Sequence, residues 1–426
     1  MTRLLNIAVI GAGIAGLSCA TALQAAGHSV QVFDKSRGGG GRMSTRRSAD
    51  ETWQCDHGAQ YFTARDPAFA AEVARWQQAG VAALWAPRVA VLNDPSLRQP
   101  GPLDRFVGTP RMTAPAQWLA GSLKRSLGTT IQRLHREGPH WQIETAEHGR
   151  LDSRFDAVLL ALPAPQAWPL AEPHAPALAA AAASVRMRGC WALMLQFDSP
   201  VDLPFDAAFV NSGPLRWIAR DSSKPGRTAA NAAPQETWLL HAEAEWSEAH
   251  LELPPDEAAA LMLAAFAALG GPAPPRWTAH RWRYADTRQP LLDGCLWDVS
   301  LRLGLCGDWL NGGKVEGAWL SGQGLAAKLS LSPAVCERSS TAHQHQQELA
   351  MNPSFHHFSE LFAQLGLATD DDGIRTFIEQ HRPLPAGTLL ADAAFWTPAQ
   401  AALLREQKQL DADWAEIVDQ LNLALH

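Results

Sequence analysis

A glycine-rich turn close to the N-terminus limits the possible folds of this chain more than any other feature. Three glycines in the segment 11–16 follow a short apolar strand pattern at 6–10 and open a helix pattern at 14–26. In a strand–turn–helix unit, such glycines allow a tight turn, close approach of a pyrophosphate and close packing of the helix on the strand. The helix N-terminus adds unpaired N–H groups that favour phosphate. The pattern predicts a Rossmann-like dinucleotide-binding domain, whose expected contacts in the turn are Gly11, Ala12, Gly13, Ala15 and Gly16.

Asp34 follows the second predicted strand, 29–33, and defines the adenosine end of the expected site. Its carboxylate can accept hydrogen bonds from the ribose hydroxyls, whereas its charge repels a 2′-phosphate. NADP is therefore disfavoured in this slot. The turn and Asp34 together do not separate NAD from FAD.

Two later segments favour FAD. Residues 38–45 (GGGGRMST) form a second glycine-rich loop in which Arg42 can meet the phosphates again, and a plain NAD-binding domain has no need of such a loop. Asp308 follows an apolar strand pattern and can bond a ribityl hydroxyl or approach the phosphates. A helix that begins near Val315 can direct the positive end of its dipole at the flavin N1/C2=O edge, where negative charge collects on reduction.

These motifs together resemble the flavin amine-oxidase superfamily, and the segments 56–62, 155–166 and 220–227 resemble bacterial renalase-like proteins in particular. The resemblance covers about residues 5–330. It implies an α/β (α+β) fold in which a Rossmann-like domain binds FAD non-covalently and carries an inserted, sheet-containing substrate domain of the p-hydroxybenzoate-hydroxylase type. Beyond the first turn, the FAD contacts expected on this basis are Asp34, Lys35, Gly41, Arg42, Met43, His57, Gly58, Ala59, Ile131, Gly307, Asp308, Val315, Glu316, Gly317 and Ala318.

Changes in composition along the chain predict the domain boundaries. Two stretches rich in Trp, Pro and Ala interrupt the dinucleotide-binding pattern, and a polar stretch without periodicity follows it. The predicted parts are an FAD-binding domain (1–70, 105–165 and 280–332), a substrate domain (71–104 and 166–279), a linker (333–350) and a small all-α module (351–426).

The C-terminal module has an amphipathic pattern at 354–365 and a capping box at 397–400 that opens a further helix. It contains eleven acidic and four basic residues, so it holds the entire net charge of −7 of the chain. The module resembles a small bacterial helical family of unknown function. Its acidic, amphipathic character suits contact with a protein partner, and a passive fused domain is the alternative.

The renalase-like resemblance implies oxidation of the 2- and 6-dihydro isomers of NAD(P) to β-NAD(P)⁺, with hydride transfer to flavin N5 and reoxidation by O₂ to give H₂O₂. A dihydropyridine becomes an aromatic cation when it loses hydride and needs no general base, whereas a protonated amine must first lose a proton and usually binds between aromatic rings. The chain has only two tyrosines, and Gly312, Gly313 and Lys314 precede the C-terminal flavin motif without an aromatic residue. Both points favour a dihydronicotinamide, although the 17 tryptophans leave a Trp-lined amine site open.

Tyr61, His241 and Trp309 are the residues expected to line the substrate pocket. His241 in an alternating strand pattern could equally be structural, and Trp309 could pack behind the flavin. Arg220 and Lys224 could hold a substrate phosphate. Two other functions remain open at this stage: a flavin amine oxidase or carotenoid-type desaturase, and a scaffold protein in which FAD is structural and the acidic module recruits a partner.

Several classes of function are not expected. The six cysteines are scattered without a CxxC pair, and no histidine cluster has a convincing metal spacing, so no metal site is predicted. The thiols suit a reducing compartment and predict a cytoplasmic protein. The near balance of charges outside the module argues against a nucleic-acid surface, and no apolar run is long enough to predict a membrane span.

Overall fold

The computed structural model describes residues 4–48, 53–92, 103–227 and 236–331, and in the C-terminal part 361–362, 365–382, 384, 390–410, 421 and 425. The chain divides into two compact units. The first contains the described residues up to Leu331, and the second contains those from Leu361 onward. The linker predicted at 333–350 lies outside the described residues.

Strands and helices are numbered in chain order. The strands are β1 (Asn6–Ile10), β2 (Ser29–Asp34), β3 (Thr45–Arg47), β4 (Gln54–Asp56), β5 (Ala82–Trp85), β6 (Val89–Leu92), β7 (Arg105–Gly108), β8 (Lys124–Leu127), β9 (Ile131–Glu137), β10 (His140–Thr145), β11 (Gly149–Arg150), β12 (Ala157–Leu160), β13 (Met187–Phe197), β14 (Ala207–Val210), β15 (Leu215–Arg220), β16 (Glu236–Ala242), β17 (Arg276–Thr287), β18 (Leu296–Asp298) and β19 (Leu303–Leu305). The helices are α1 (Ile14–Ala25), α2 (Pro67–Gln78), α3 (Ala114–Ala120), α4 (Ala164–Ala171), α5 (Pro176–Ser184), α6 (Ala244–Ala249), α7 (Pro255–Ala268), α8 (Lys314–Leu331), α9 (Asp371–His381) and α10 (Pro398–Leu410).

The first sheet has the strand order β18-β19-β12-β1-β2-β8, and only β18 runs antiparallel to its neighbour. Its central strands are continuous apolar runs, because helices and a small three-stranded sheet cover both faces. The carboxyl ends of β1, β12 and β19 therefore lie at one edge, which is where ligands bind in open α/β sheets. The predicted Rossmann-like architecture is confirmed.

Helices α1 and α8 pack against each other at very short range. A Cβ atom on Gly322 would lie 2.2 Å from the carbonyl oxygen of Ala15, so only glycine permits the contact. The hydroxyl of Ser18 donates to the carbonyl of Trp319 at 2.7 Å across the same interface. Since α1 follows β1 and α8 follows β19, both helices begin at the carboxyl edge of the sheet.

The second sheet has the order β17-β13-β16-β15-β14-β6 and is antiparallel except for the pairing of β14 with β6. One face packs under α7, and the other carries the side chains described below. The domain boundary predicted at 279/280 falls inside the continuous strand β17, which carries the sheet to Thr287. Helices α4 and α5, predicted as part of the substrate domain, instead contribute Ala167, Leu170 and Ala179 to the core of the first sheet.

The second unit has a small apolar core of its own, which includes Phe362, Ile374 and Trp396. The capping box at the start of α10 is confirmed: Thr397 N donates to Gln400 Oε1 at 2.9 Å, and Gln400 N donates to Thr397 Oγ1 at 3.3 Å. The helix predicted at 354–365 lies mostly outside the described residues. Within the described ranges, no helix of either unit is long and apolar enough to cross a membrane.

Candidate functional site

The glycine turn leaves an open slot at the start of α1. A Cβ atom on Gly11, which has φ of 113°, would lie 2.3 Å from the carbonyl oxygen of Ala161, and one on Gly16 would lie 2.0 Å from the oxygen of Gly11. These two glycines are therefore required by packing. A Cβ on Gly13 would meet nothing within 4 Å, and Gly13 caps α1 without a side-chain hydrogen bond. The slot over Gly13 and the free N–H groups of the first turn fit a diphosphate.

Asp34 lies at the carboxyl end of β2 beside this turn. Its two carboxylate oxygens accept from the N–H groups of Ala12 and Ser36, both at 2.7 Å. Each oxygen keeps a second lone pair, so the carboxylate can still accept from a ribose. Lys35 follows it and is exposed. Thr129 N donates to the carbonyl of Asp34 at 2.9 Å, which brings the start of β9, at Ile131, to the predicted adenosine end.

The second glycine loop forms the other wall of the slot. Gly40 N donates to the carbonyl of Ala12 at 2.8 Å, and a Cβ on Gly41 would lie 3.2 Å from the Cα of Gly13. The loop is anchored by the buried side chain of Met43. The two glycine-rich segments, about 30 residues apart in sequence, thus meet at Gly13.

Arg42 joins this loop to the end of β19. Its guanidinium donates to both carboxylate oxygens of Asp308, at 2.8 and 2.5 Å, and to the carbonyl of Ala285 at 3.2 Å. Asp308 is fixed in turn, because its carbonyl accepts from the N–H groups of Asn311 and Gly313. A bidentate pair of this kind sets the geometry of both side chains, so the residues predicted at the diphosphate and ribityl positions are brought together.

At the start of α8, backbone N–H groups are more available to a cofactor than side chains are. Gly317 packs closely, since a Cβ there would lie 2.0 Å from the carbonyl oxygen of Asn311. The carboxylate of Glu316, predicted as a cofactor contact, accepts from the N–H groups of Arg65 and Asp66 at 2.9 Å each. The Glu316 side chain therefore binds the loop that precedes α2. The neighbours Val315 and Ala318 are buried and half-buried, respectively.

The segment 57–59 lies between the second glycine loop and the second sheet. Ala59 N donates to the carbonyl of Arg42 at 2.9 Å, and a Cβ on Gly58 would lie 1.9 Å from that oxygen. On the other side, the carbonyl of His57 accepts from Trp282 Nε1 at 2.8 Å and from His241 Nε2 at 3.1 Å. Because a trans peptide directs its N–H opposite to its C=O, the Gly58 N–H points away from that sheet. It has no hydrogen-bond partner among the described residues, which leaves a backbone donor for a cofactor.

Two histidines at this site are neutral near pH 7. Burial, together with the positive charge of His280 and Arg46, lowers the pKa of His57 to about 3. Burial also lowers the pKa of His241 to about 4. Because His241 Nε2 donates to a carbonyl, its proton is on that nitrogen and Nδ1 is unprotonated. Both imidazoles are therefore weak bases.

A row of side chains crosses the second sheet on the face that carries His241. Strand pairing aligns Phe209 with Trp217, Trp217 with His241, and His241 with Ala192. Tyr61 packs on this row, with its ring centroid 5.6 Å from that of Trp217. The structure thus brings two of the three predicted pocket residues, Tyr61 and His241, to one side of the sheet.

The prediction for Trp309 is corrected. Its side chain has no exposed surface, and its indole N–H donates to the carbonyl of Leu162 at 2.9 Å. It belongs to the core of the first sheet, together with Phe33 and Leu305. Because its ring is enclosed by this core and its N–H is already paired, Trp309 is structural. It packs over Gly307, where a Cβ would lie 2.7 Å from the indole nitrogen.

The expectation that Arg220 and Lys224 hold a phosphate is also corrected. Arg220 pairs with Glu236 at 3.2 Å. Lys224 is fully buried and lies 2.8 Å from a carboxylate oxygen of Asp221 and 3.2 Å from one of Asp56. Both cations are therefore occupied inside the protein.

Lys224 belongs to a buried charge cluster, defined here as Asp56, Asp221, Lys224 and Arg227. Arg227 donates to the same Asp56 oxygen at 2.5 Å, and each of the four side chains is at most 1% exposed. Two acids and two bases make the cluster neutral. It ties the segment before His57 to the loop after β15. All four residues lie in the segments DHGAQ and RDSSKPGR, but of these four only Lys224 was expected to have a role, in binding a substrate phosphate.

Comparison with known proteins agrees with this geometry. Residues 104–330 match the family model described as "Flavin containing amine oxidoreductase", residues 9–75 match "NAD(P)-binding Rossmann-like domain", and residues 351–425 match "Protein of unknown function (DUF2789)". Cyclohexylamine oxidase from Brevibacterium oxydans has a similar fold, with a TM-score of 0.58 and 14% identity over 77% of this chain and 99% of that one. Putrescine oxidase bound to putrescine gives a TM-score of 0.54 and 14% identity over the same shares of the two chains.

Curated relatives match over a short segment only. L-amino-acid oxidase of Siganus canaliculatus is 43% identical over 54 residues, which is 13% of this chain and 10% of that protein. The enzyme of Echis ocellatus is 47% identical over 53 residues, which is 12% of this chain and 10% of that protein. The chain thus spans about a tenth of the length of these relatives.

FAD is the cofactor that the two glycine loops, the Arg42–Asp308 pair and the start of α8 fit. The family model covers more than half of the chain. The chain belongs to the family of flavin containing amine oxidoreductases.

Proposed function

We propose that this protein is a flavin oxidase for the 2- or 6-dihydro isomers of NAD(P), which it converts to β-NAD(P)⁺ with O₂ as the acceptor and H₂O₂ as the second product. The observation that carries the proposal is the weak basicity of the histidines at the site. The pKa values of His57 and His241 lie at about 3 and about 4. A donor that needs no deprotonation suits such a site, and a dihydropyridine is such a donor because loss of hydride makes it aromatic.

The placement of the aromatic side chains supports the same proposal. Tyr61, Trp217 and Phe209 form one continuous group, with centroid separations of 5.6 and 4.7 Å. At the start of α8, Gly312 and Gly313 present no side chains, and a Cβ on Gly312 would meet nothing within 4 Å. One aromatic wall suits a flat ring that stacks, whereas an aromatic cage for an amine needs a second wall.

Within this proposal, FAD held in the slot would supply the chemistry of hydride acceptance and O₂ reduction. The residues of the chain bind and orient the reactants. Trp282 and His241 hold the peptide between His57 and Gly58, and the aromatic group excludes water from the face of the substrate. Hydride loss from a dihydropyridine requires no proton transfer by a side chain.

Oxidation of an amine is the second candidate. It is favoured by the family match and by the names of the similar proteins, which include cyclohexylamine oxidase and putrescine oxidase. A desaturase-type reaction on the same fold is a variant of this candidate. A third possibility is that FAD is structural and that the C-terminal module acts by binding a protein partner.

Anaerobic mixing of the holoprotein with 6-dihydro-NAD, ordinary NADH, cyclohexylamine and putrescine separates these candidates. We expect the flavin absorbance near 450 nm, a property of the cofactor, to bleach rapidly with 6-dihydro-NAD and much more slowly with the others. Rapid bleaching by an amine alone would contradict the proposal and support the second candidate. Failure of every donor would support a structural role for FAD. Admission of O₂ after bleaching should release H₂O₂ in an amount equal to the flavin reduced.

A further inference from the structure

Arg105 is a buried cation without a counterion among the described residues. The residue, at the start of β7, is 6% exposed. One terminal nitrogen donates to the carbonyl of Leu103 at 3.3 Å, and the buried Nε–H has no hydrogen-bond partner. An arginine side chain remains charged in proteins. Because an unpaired buried charge is strongly disfavoured, the site is electrostatically incomplete without an anion.

Backbone pairing places Arg105 beside Tyr61. Phe62 and Phe106 exchange both of their backbone hydrogen bonds, each 2.8 Å long. Residues next to such a pair lie diagonally across from each other on one face, within reach of long side chains. The guanidinium carbon of Arg105 accordingly lies 5.3 Å from the centroid of the Tyr61 ring.

Trp217 is a second residue with an unsatisfied donor that packs on Tyr61. Its side chain packs on the Tyr61 ring, the residue is 6% exposed, and its buried indole N–H has no partner among the described residues. The buried charge cluster does not compensate Arg105, because its two acids are already matched by Lys224 and Arg227. The predicted pocket residue Tyr61 is therefore in contact with two side chains that each carry an unpaired buried N–H donor, one of them charged.

We infer that Arg105 and Trp217, next to Tyr61, form a subsite for an oxyanion of the substrate. A phosphate or a carboxylate accepts well from a guanidinium and an indole N–H, and the charge-assisted bond gives the specificity. The inference deepens the proposed function and rests on it for the identity of the reacting group: the oxyanion would be the phosphate of a dihydronicotinamide nucleotide. A substrate carboxylate has the same chemistry and is separated from phosphate by the test.

Binding is measured first, on the full-length holoprotein. Inorganic phosphate and benzoate are titrated calorimetrically into the wild type, Arg105→Gln, Trp217→Phe and Arg88→Gln. Arg88 is the matched control, since it is an exposed arginine paired with Asp206. We expect Arg105→Gln to raise the dissociation constant of one of the two anions by roughly 10- to 100-fold. Trp217→Phe, which keeps a ring, should raise it by a smaller factor, and Arg88→Gln should leave it unchanged.

Activity then identifies the source of the oxyanion. Dihydronicotinamide mononucleotide is compared with its riboside, which lacks the phosphate, and L-phenylalanine is compared with phenethylamine, which lacks the carboxylate. The wild type should prefer the anionic member of one pair, and Arg105→Gln should abolish that preference by lowering kcat/KM for the anionic member only. Trp217→Phe provides the same comparison if Arg105→Gln does not fold.

Three results would overturn the inference: wild type that binds neither anion, variants that bind as wild type does, or loss of FAD from a folded Arg105→Gln protein, which would assign the arginine to the cofactor. Failure of the proposed function looks different. In that case no dihydropyridine reduces the flavin, while anion binding still depends on Arg105.

Discussion

Replacement of Lys224 by methionine tests the buried charge cluster. The substitution removes the ammonium group that lies 2.8 Å from Asp221 and 3.2 Å from Asp56, and it keeps a chain of similar length. Both carboxylates stay buried, and only Arg227 remains to balance them. Removal of one partner from a buried ion pair typically destabilises a protein by about 3–5 kcal/mol, because the remaining charge is unpaired in a medium of low polarity. We expect a loss of this size.

The loss should depend on pH. In the wild type, burial alone would raise the pKa of Asp56, but Lys224, Arg227 and Thr45 lower it to about 2. Its contribution to stability is therefore present above the unfolded pKa and is lost as the pH falls toward 2. Without Lys224 the pKa values of both carboxyls rise. A raised pKa favours the folded state at low pH, so the variant should differ from wild type less at about pH 4, inside the ordinary range of carboxyl titration, than at about pH 8, above it.

The measurement is urea unfolding at a fixed excess of free FAD, since bound cofactor adds to apparent stability. Lys224→Met/Asp221→Asn restores the charge balance and should recover much of the loss. Arg88→Gln removes an exposed pair on the same sheet and should change the free energy of unfolding little. The reasoning is refuted if Lys224→Met behaves like Arg88→Gln, or if the second substitution makes the loss larger.

Three further predictions concern the cofactor slot, the core and the histidines. Gly13→Ala should fold with normal stability but bind FAD weakly, because its methyl group enters the open space of the slot. Gly16→Ala should instead destabilise the fold, because its Cβ would lie 2.0 Å from a backbone oxygen. The absorbance of bound FAD and thermal unfolding distinguish the two effects. Trp309→Phe should destabilise the protein by about 1–3 kcal/mol, because it leaves a buried carbonyl without its hydrogen bond. The reaction rate per bound flavin should stay unchanged, and a large fall in that rate would contradict the structural role of Trp309. Burial lowers the pKa of His241 to about 4, so its contribution to stability is present above pH 6.5 and is lost as the pH falls toward 4. His241→Asn should make this decline of stability with falling pH shallower in unfolding titrations. An unchanged slope would contradict the role given to His241.

The cofactor slot was predictable because its chemistry is local in the chain. Gly11, Gly13 and Gly16 act on one turn, and their spacing follows directly from the geometry of a strand that leads into a helix. Arg42 and Asp308 were predictable individually from the loops that carry them. Their bidentate contact joins β19 to a loop far away in sequence, and only the parallel order of the sheet brings the two together.

The substrate side was less predictable, because burial and pairing there depend on how separate segments pack. Trp309 and Lys224 both lie in segments that resemble flavoprotein sites. Trp309 nevertheless packs in the core, and Lys224 belongs to the buried charge cluster. Arg105 carried no sequence signal, because its importance comes from the lack of an ion pair with any described acid and from the pairing of β7 with the segment around Phe62.

The sequence by itself therefore determined the Rossmann-like domain and the dinucleotide slot, since short-range backbone geometry specifies both. The tertiary structure decided which charged and aromatic side chains remain available to a substrate. That outcome depends on long-range contacts such as those between Tyr61 and Trp217 and between Tyr61 and Arg105, which bring together residues from separate segments of the chain. The energy of a buried charge or an unpaired donor depends on all of its neighbours, and no local pattern in the chain contains them.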